Sequence, residues 1–205
     1  KANYIMHEYS ISNHDRKTAY YFLAVLSGLL GAVIAYFLGA FEKSFGVAVA
    51  APSGLAVFGL LFIVFDKFIW KWPWLYNLGV VKIPNLNGYW DASMASSATG
   101  NQIDAQVFVY QTYSKIRIRL ETEKSESISQ MAALEMADPT LFNLRYEYSA
   151  EYQRDENADI LRHYGVTSLK LKSDNHEFSS EHSATYYTEQ GRDSHGTITI
   201  KRSEK

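Results

Sequence analysis

Two stretches without a formal charge, Thr18 to Phe41 and Ser44 to Phe65, lie almost back to back near the start of the chain. Only Glu42-Lys43 separates them. Each exceeds the roughly 20 apolar residues that span a bilayer as a helix. The pattern predicts a transmembrane helical hairpin over residues 18–72, with helices at about 18–41 and 46–69. Pro52 is expected to kink the second helix or delay its start. Residues 1–17 read as a polar N-terminal tail, and 73–85 as a juxtamembrane linker.

From residue 86 the period of the pattern changes to two, the period of strands with one face buried. Eight strands are expected, at about Asn87–Met94, Ile103–Thr112, Lys115–Glu123, Ser127–Met136, Leu141–Ala150, Arg162–Lys172, His176–Tyr186 and His195–Arg202. The fourth of these also fits a helix. The breaks carry turn residues, such as Thr99-Gly100-Asn101, Asp138-Pro139 and Ser173-Asp174-Asn175. Short links make neighbours antiparallel, and eight such strands can close into a small up-and-down β-barrel with room for one ligand. The alternative is an open sandwich. The predicted fold class is thus a two-helix transmembrane hairpin followed by an all-β domain at 86–205.

Alternation assigns faces. Ile116, Ile118 and Leu120 share the inner face of the third strand; Phe142, Leu144, Tyr146 and Tyr148 share that of the fifth. Leu169 and Leu171 point in, which brings Thr167, Gly165 and His163 to the same side. In the last strand Gly196, Ile198 and Ile200 point in. The interior is therefore apolar at one end and gains Tyr146, Tyr148, Thr167 and His163 towards the other. That many polar tips serve either a ligand or a satisfied internal network.

Charge refines the picture. Residues 1–85 hold seven Lys/Arg against four Asp/Glu, and residues 86–205 hold thirteen against eighteen. A domain at −5 lacks the basic face that a DNA or RNA polymer requires, although it leaves room for a small anion in a local pocket. Arg16 and Lys17 precede the first span, and Lys67, Lys71 and Lys82 follow the second. The positive-inside rule then places both the N-terminus and the β domain in the cytoplasm. Trp70, Trp72 and Trp74 mark the interface after the second span. The first apolar run follows about 17 mostly polar residues and exceeds a signal-peptide h-region, so a cleavable signal is not expected. There are no cysteines, hence no disulfide or thiolate metal site.

Ser27, Gly31, Ala35 and Gly39 recur at a spacing of four on the first span. Such a stripe of small residues lets a second backbone approach closely, either the second helix of the same chain or another copy. Neither span carries a central charged or amide residue, which argues against a transport path. No Walker loop, Gly-x-Ser-x-Gly or His-Glu-x-x-His occurs, and the histidines are irregularly spaced, so neither an enzyme nor a cofactor or metal site is expected. Arg192, in the loop Tyr186 to Gly196, is placed to clamp a phosphate or merely to complete a turn. Tyr187 beside it offers a ring on which a base can stack.

Leu86-x-Gly88-x-Trp90 opens the β domain, as the Gly-x-Trp of lipocalin-like barrels does, and Arg192-x-Ser194-x-Gly196-x-Ile198 closes it. With two transmembrane helices and a Trp-rich juncture ahead, this order of features resembles the transmembrane β-barrel effectors of bacterial CBASS anti-phage systems, which are CD-NTase-associated. The resemblance spans nearly the whole chain in architecture, through two short motifs. It implies that the barrel binds a cyclic dinucleotide, that homo-oligomerisation of the helices follows, and that the inner membrane is disrupted. On this reading the ligand contacts are Tyr146, Tyr148, His163, Thr167, Tyr187 and Arg192, and the oligomer seam is the small-residue stripe. A membrane-tethered, lipocalin-like carrier of an apolar ligand and a purely structural anchor are the rival readings.

Overall fold

The computed structural model describes residues 5–97, 100–138, 140–152, 161–174, 177–178, 181–189 and 194–203. It divides into two units. One runs from Asp15 to Ile83; the other joins the segment up to His14 with the chain from Pro84 onward.

The helical unit begins with α1 (Arg16–Phe45), 30 residues and about 45 Å long at 1.5 Å per residue. Asp15 caps it, its carboxylate accepting from Lys17 N–H at 2.9 Å. Gly46, in the left-handed region at φ 69°, ends it. The second helix, α2 (Gly54–Lys67), is shorter than the expected 46–69. Pro52 lacks an N–H and pushes Ala51 away from helical angles, and the backbone re-enters a helix only after Ser53, its extended N-cap. The Ser53 hydroxyl accepts from Ala56 N–H at 3.2 Å. At 14 residues α2 covers about 21 Å, less than the roughly 30 Å of a hydrocarbon core. Among the described residues α1 alone is a helix long and apolar enough to cross a membrane by itself. α1 packs against α2, with Tyr20 edge-on to Phe62 at 5.9 Å. A 3₁₀ turn at Ile69–Lys71 and a five-residue helix, α3 (Pro73–Asn77), follow. The expected linker is thus partly helical.

Among the described residues the other unit is one sheet of ten strands rather than the expected eight. β1 (His7–Ile11) was not expected, and the expected strand His176–Tyr186 is divided into the two-residue β8 (Glu177–Phe178) and a strand from His182. The rest are β2 (Gly88–Ser96), β3 (Gln102–Gln111), β4 (Lys115–Thr122), β5 (Ser125–Asp138), β6 (Leu141–Tyr152), β7 (Leu161–Asp174), β9 (His182–Thr188) and β10 (His195–Arg202). Antiparallel pairings run β2–β3–β4–β5–β6–β7–β9–β10 and return to β2, so each of these eight strands is paired on both sides. The sheet closes on itself.

The expected polar tail at residues 1–17 instead contributes β1 to this sheet and the first residues of α1 to the helical unit. β4 and β5 pair directly only near their hairpin, from Arg119↔Ile128 to Glu121↔Glu126. Beyond that they part, and β1 enters between them. It runs antiparallel to β4 (His7↔Ile116) and parallel to β5 (Tyr9↔Ala132 to Ile11↔Leu134). Ser129, beside a register shift in β5, completes the junction: its Oγ accepts from Ile118 N–H at 2.9 Å and meets His7 Nε2 at 2.8 Å. Tyr9 is buried, its hydroxyl donating to the Tyr113 carbonyl at 3.2 Å and accepting from Gln111 Nε2 at 3.2 Å.

Candidate ligand-binding site

The interior of the closed sheet has two ends of different chemistry. Inward positions on every long strand alternate with outward ones, so Val107, Val109, Ile118, Leu120, Leu144, Leu169, Leu171 and Ile200 are buried together. Trp90 closes this end. It is 2 % exposed, and its Nε1 donates to the Leu86 carbonyl at 3.1 Å, which ties together the two large residues of the opening motif. Gly88 between them sits at φ 127°, a backbone conformation that L side chains rarely adopt. Arg202 lies over the Trp90 ring at 5.4 Å and donates to the Asn87 carbonyl at 2.9 Å. The space left at this end is about 20 Å³, enough for about one water.

At the other end the interior widens into a cavity of about 350 Å³. Tyr146, Tyr148, His163 and Thr167, the four inward candidates of the sequence, all line it. Ladder register explains why: Tyr146 stands opposite Thr167, and Tyr148 opposite Gly165, on neighbouring strands. Tyr146 and Thr167 form the floor, shared with the apolar end. Burial pushes the Tyr146 hydroxyl up from its ordinary pKa, while its hydrogen bond with Thr167 pulls the other way, so it is a neutral phenol at physiological pH. His163 meets the Tyr148 ring edge to face at 6.4 Å. Thr122, Glu123, Lys124, Ser125 and Ser127 from the β4–β5 hairpin, with Thr188 and Ser194 from the β9–β10 end, complete the polar wall.

Tyr187 is not part of this cavity. It is 59 % exposed, and its ring stacks on His195 at 6.4 Å on the outer face. The reason is parity. His182, Ala184 and Tyr186 point inward along β9, so the next residue must point out. Tyr186 takes the inner place and lines the cavity. That alternation was legible in the sequence, but ending the strand at Tyr186 treated Tyr187 as a loop residue. Arg192 lies outside the described residues. Its loop leaves from Thr188 and returns at Ser194, whose backbones pair (Thr188 N–H to Ser194 C=O, 2.9 Å) and whose side chains line the cavity. Among the described residues the charged groups in the wall are Glu123 and Lys124. No cluster of His, Cys, Asp or Glu able to hold a metal occurs among them.

On the helical unit, the four stripe residues have unlike surroundings. Ser27 is buried and bonds back to the Ala24 carbonyl at 2.8 Å, while Gly31 and Gly39 are half-buried and Ala35 is exposed. A Cβ at Gly31 or Gly39 would meet nothing within 4 Å.

Comparison with known proteins matches both units. Residues 81–202 fit the family model described as "Cap15, cyclic dinucleotide receptor domain", and residues 17–71 that described as "Cap15, TM helices". CD-NTase-associated protein 15 of Yersinia aleksiciae is 29 % identical over 145 residues, which are 70 % of this chain and 66 % of that relative.

Proposed function

The chain belongs to the Cap15 family, with TM helices joined to a cyclic dinucleotide receptor domain, and from that premise we propose that it is a membrane effector of bacterial CBASS anti-phage defence. The closed sheet, read as an up-and-down barrel, is the sensor. A cyclic dinucleotide enters its polar end, and the helices respond by homo-oligomerising and disrupting the inner membrane. Both hydrophobic segments span that membrane, with the N-terminus and barrel cytoplasmic, as the basic flanks favour. The chain acts without catalysis, as a receptor rather than an enzyme.

The observation that carries this reading is the 350 Å³ cavity in the unit that matches the receptor family, lined by tyrosines, hydroxyls and His163. Aromatic faces suit bases, and hydroxyls suit sugar and phosphate oxygens. Lys124 at the wall supplies a cation for the phosphates, and Arg192 is the second, carried by the loop that springs from Thr188 and Ser194. An acyl-chain carrier fits less well, because the apolar end holds only about 20 Å³.

The coupling follows from differential binding: a ligand stabilises only the state that it binds better. Tethering in a bilayer raises the effective concentration of the barrels, so a modest ligand-dependent preference for assembly is amplified. The stripe of Ser27, Gly31, Ala35 and Gly39 is the seam in this reading. Isothermal calorimetry of the full chain in detergent micelles, against a panel of cyclic dinucleotides and a fatty acid, tests the sensor. Saturable binding of at least one cyclic dinucleotide is expected. Binding of the fatty acid alone would replace the assignment with a lipid carrier.

A further inference from the structure

Three serines alternate at the start of β5: Ser125, Ser127 and Ser129. Ser125 and Ser127 line the cavity, while Glu126 between them points away and accepts from Arg119 Nε at 2.7 Å. The neighbouring inward rows of β3 and β4 are built instead of Val107, Val109, Ile116, Ile118 and Leu120. Hydroxyls at such positions need a reason, and two of the three serines have a structural one. Ser125 Oγ meets Thr122 Oγ1 at 2.7 Å and closes the β4–β5 hairpin, where Thr122 Oγ1 also accepts from Ser125 N–H at 3.0 Å. Ser129 Oγ accepts from Ile118 N–H at the junction with β1. Ser127 has no such duty. It is half-buried, it faces the cavity, and its hydroxyl makes no hydrogen bond within the chain.

The neighbours of Ser127 fit a ligand rather than a packed core. Ser127 stands between Leu120 on β4 and Ala150 on β6, and Ala150 pairs in turn with His163 on β7. All four line the cavity. The inward row of β6 runs Phe142, Leu144, Tyr146, Tyr148, Ala150, so the smallest side chain of that row stands beside Ser127. The wall over Ala150 is thereby recessed between a hydroxyl and an imidazole. Their backbones are two strand spacings apart, roughly 9–10 Å. Lys124, three residues before Ser127 and in the same wall, brings a positive charge. A serine hydroxyl has one proton to donate, and next to an ammonium its natural acceptor is an anionic oxygen.

We propose that Ser127 donates its hydroxyl to a phosphodiester oxygen of the ligand, seated over Ala150, with Lys124 as the counter-charge to the same phosphate. The proposal rests on the cyclic dinucleotide reading above and deepens it. It names a contact residue that sequence reading left out, and it gives one phosphate of the ligand a seat within the described residues.

The test holds shape constant and changes only the hydroxyl. Full-length protein in detergent micelles is compared as wild type, Ser127→Thr and Ser127→Val, two variants of one shape of which Thr alone keeps the donor. Calorimetric titration uses cyclic di-AMP, cyclic di-GMP, cyclic di-UMP, cyclic GMP–AMP and cyclic UMP–AMP, with a thermal melt of every variant. Ser127→Val should bind about tenfold or more weakly than Ser127→Thr, the scale of a hydrogen bond to a charged group. Ser127→Ala should melt as wild type does, because no bond within the chain is lost, whereas Ser129→Ala should melt lower. Equal affinity of the Thr and Val variants overturns the contact, and so does a Ser127→Ala melt as low as that of Ser129→Ala, which makes Ser127 a structural residue. A double-mutant cycle then tests the shared phosphate. The loss in Lys124→Met with Ser127→Ala should fall short of the product of the two single losses. Losses that multiply in full place the two groups on different parts of the ligand and overturn the shared seat. Failure of wild type to bind any probe removes the cyclic dinucleotide reading itself, an outcome distinct from loss confined to the variants.

Discussion

His182 shows what burial does to a single titratable side chain. It is 4 % exposed, its ring sits edge-on to Phe178 at 5.8 Å and near Trp90 at 5.9 Å, and its Nδ1 accepts from Lys172 N–H at 3.3 Å. Burial holds its pKa below the ordinary 6.5. The sign follows. Below pH 6.5 the unfolded chain takes up a proton that the folded chain resists, so stability falls as pH drops through that value. The thermal midpoint of the β unit in the full chain should decline between about pH 7 and pH 5. His182→Gln, which keeps an acceptor for Lys172 N–H, should flatten that decline. An unchanged slope in the variant would assign the pH dependence to other groups.

Among the elements, β1 changes what counts as the domain. It occupies the gap where β4 and β5 part, and its removal would strip partners from backbone groups at Ile116 and at Ala132 to Leu134. Unpaired strand edges and the loss of the buried Tyr9 both destabilise. A fragment starting at residue 83 therefore lacks a strand of its own sheet. Fusing residues 5–14 ahead of residue 84 through a flexible linker should raise its thermal midpoint. Tyr9→Ala in the full chain should lower the stability of the β unit by about 3 kcal/mol or more, the scale for truncating a large buried aromatic. Urea unfolding followed by tryptophan fluorescence measures both, and equal stability with and without the segment would make β1 a passive appendage. Because β1 leads into α1 through only Ser12 to Asp15, the sensor is attached to the membrane segment at both of its chain crossings.

At the scale of the whole molecule, TM helices are joined to a cyclic dinucleotide receptor domain, and the function proposed above makes the helices the output and the closed sheet the input. The two roles can be separated by a change confined to one of them. A Cβ added at Gly31 of α1 would meet nothing within 4 Å in the single chain, and the bulk of a leucine there would block close approach of a second helix. Gly31→Leu should leave cyclic dinucleotide affinity unchanged and abolish ligand-dependent loss of membrane integrity in cells, read by dye entry. Continued dye entry would place the seam elsewhere on the helical unit. Toxicity of the β unit without its helices would reassign the output to that unit.

The sequence by itself determined whatever depends on local periodicity. Uncharged runs of about 20 residues or more mark membrane helices, and alternation with period two marks strands and their faces. Hence Tyr146, Tyr148, His163 and Thr167 could be placed together from the chain alone, because inward parity along β6 and β7 is a local property. The start of α2 was also legible as far as Pro52 went, although the uncharged run extended the expected helix over residues that the proline keeps out of it. Tertiary structure decided what no local pattern encodes. The five residues of β1 found their partners more than 100 positions away, a pairing that depends on β4 and β5 diverging. Tyr148 and Tyr186 line the cavity opposite glycines on neighbouring strands, and that juxtaposition is set by ladder register. The wide end of the interior stays open for the same reason: register decides which large side chains face small ones, and closure of the sheet brings those pairs around a common space.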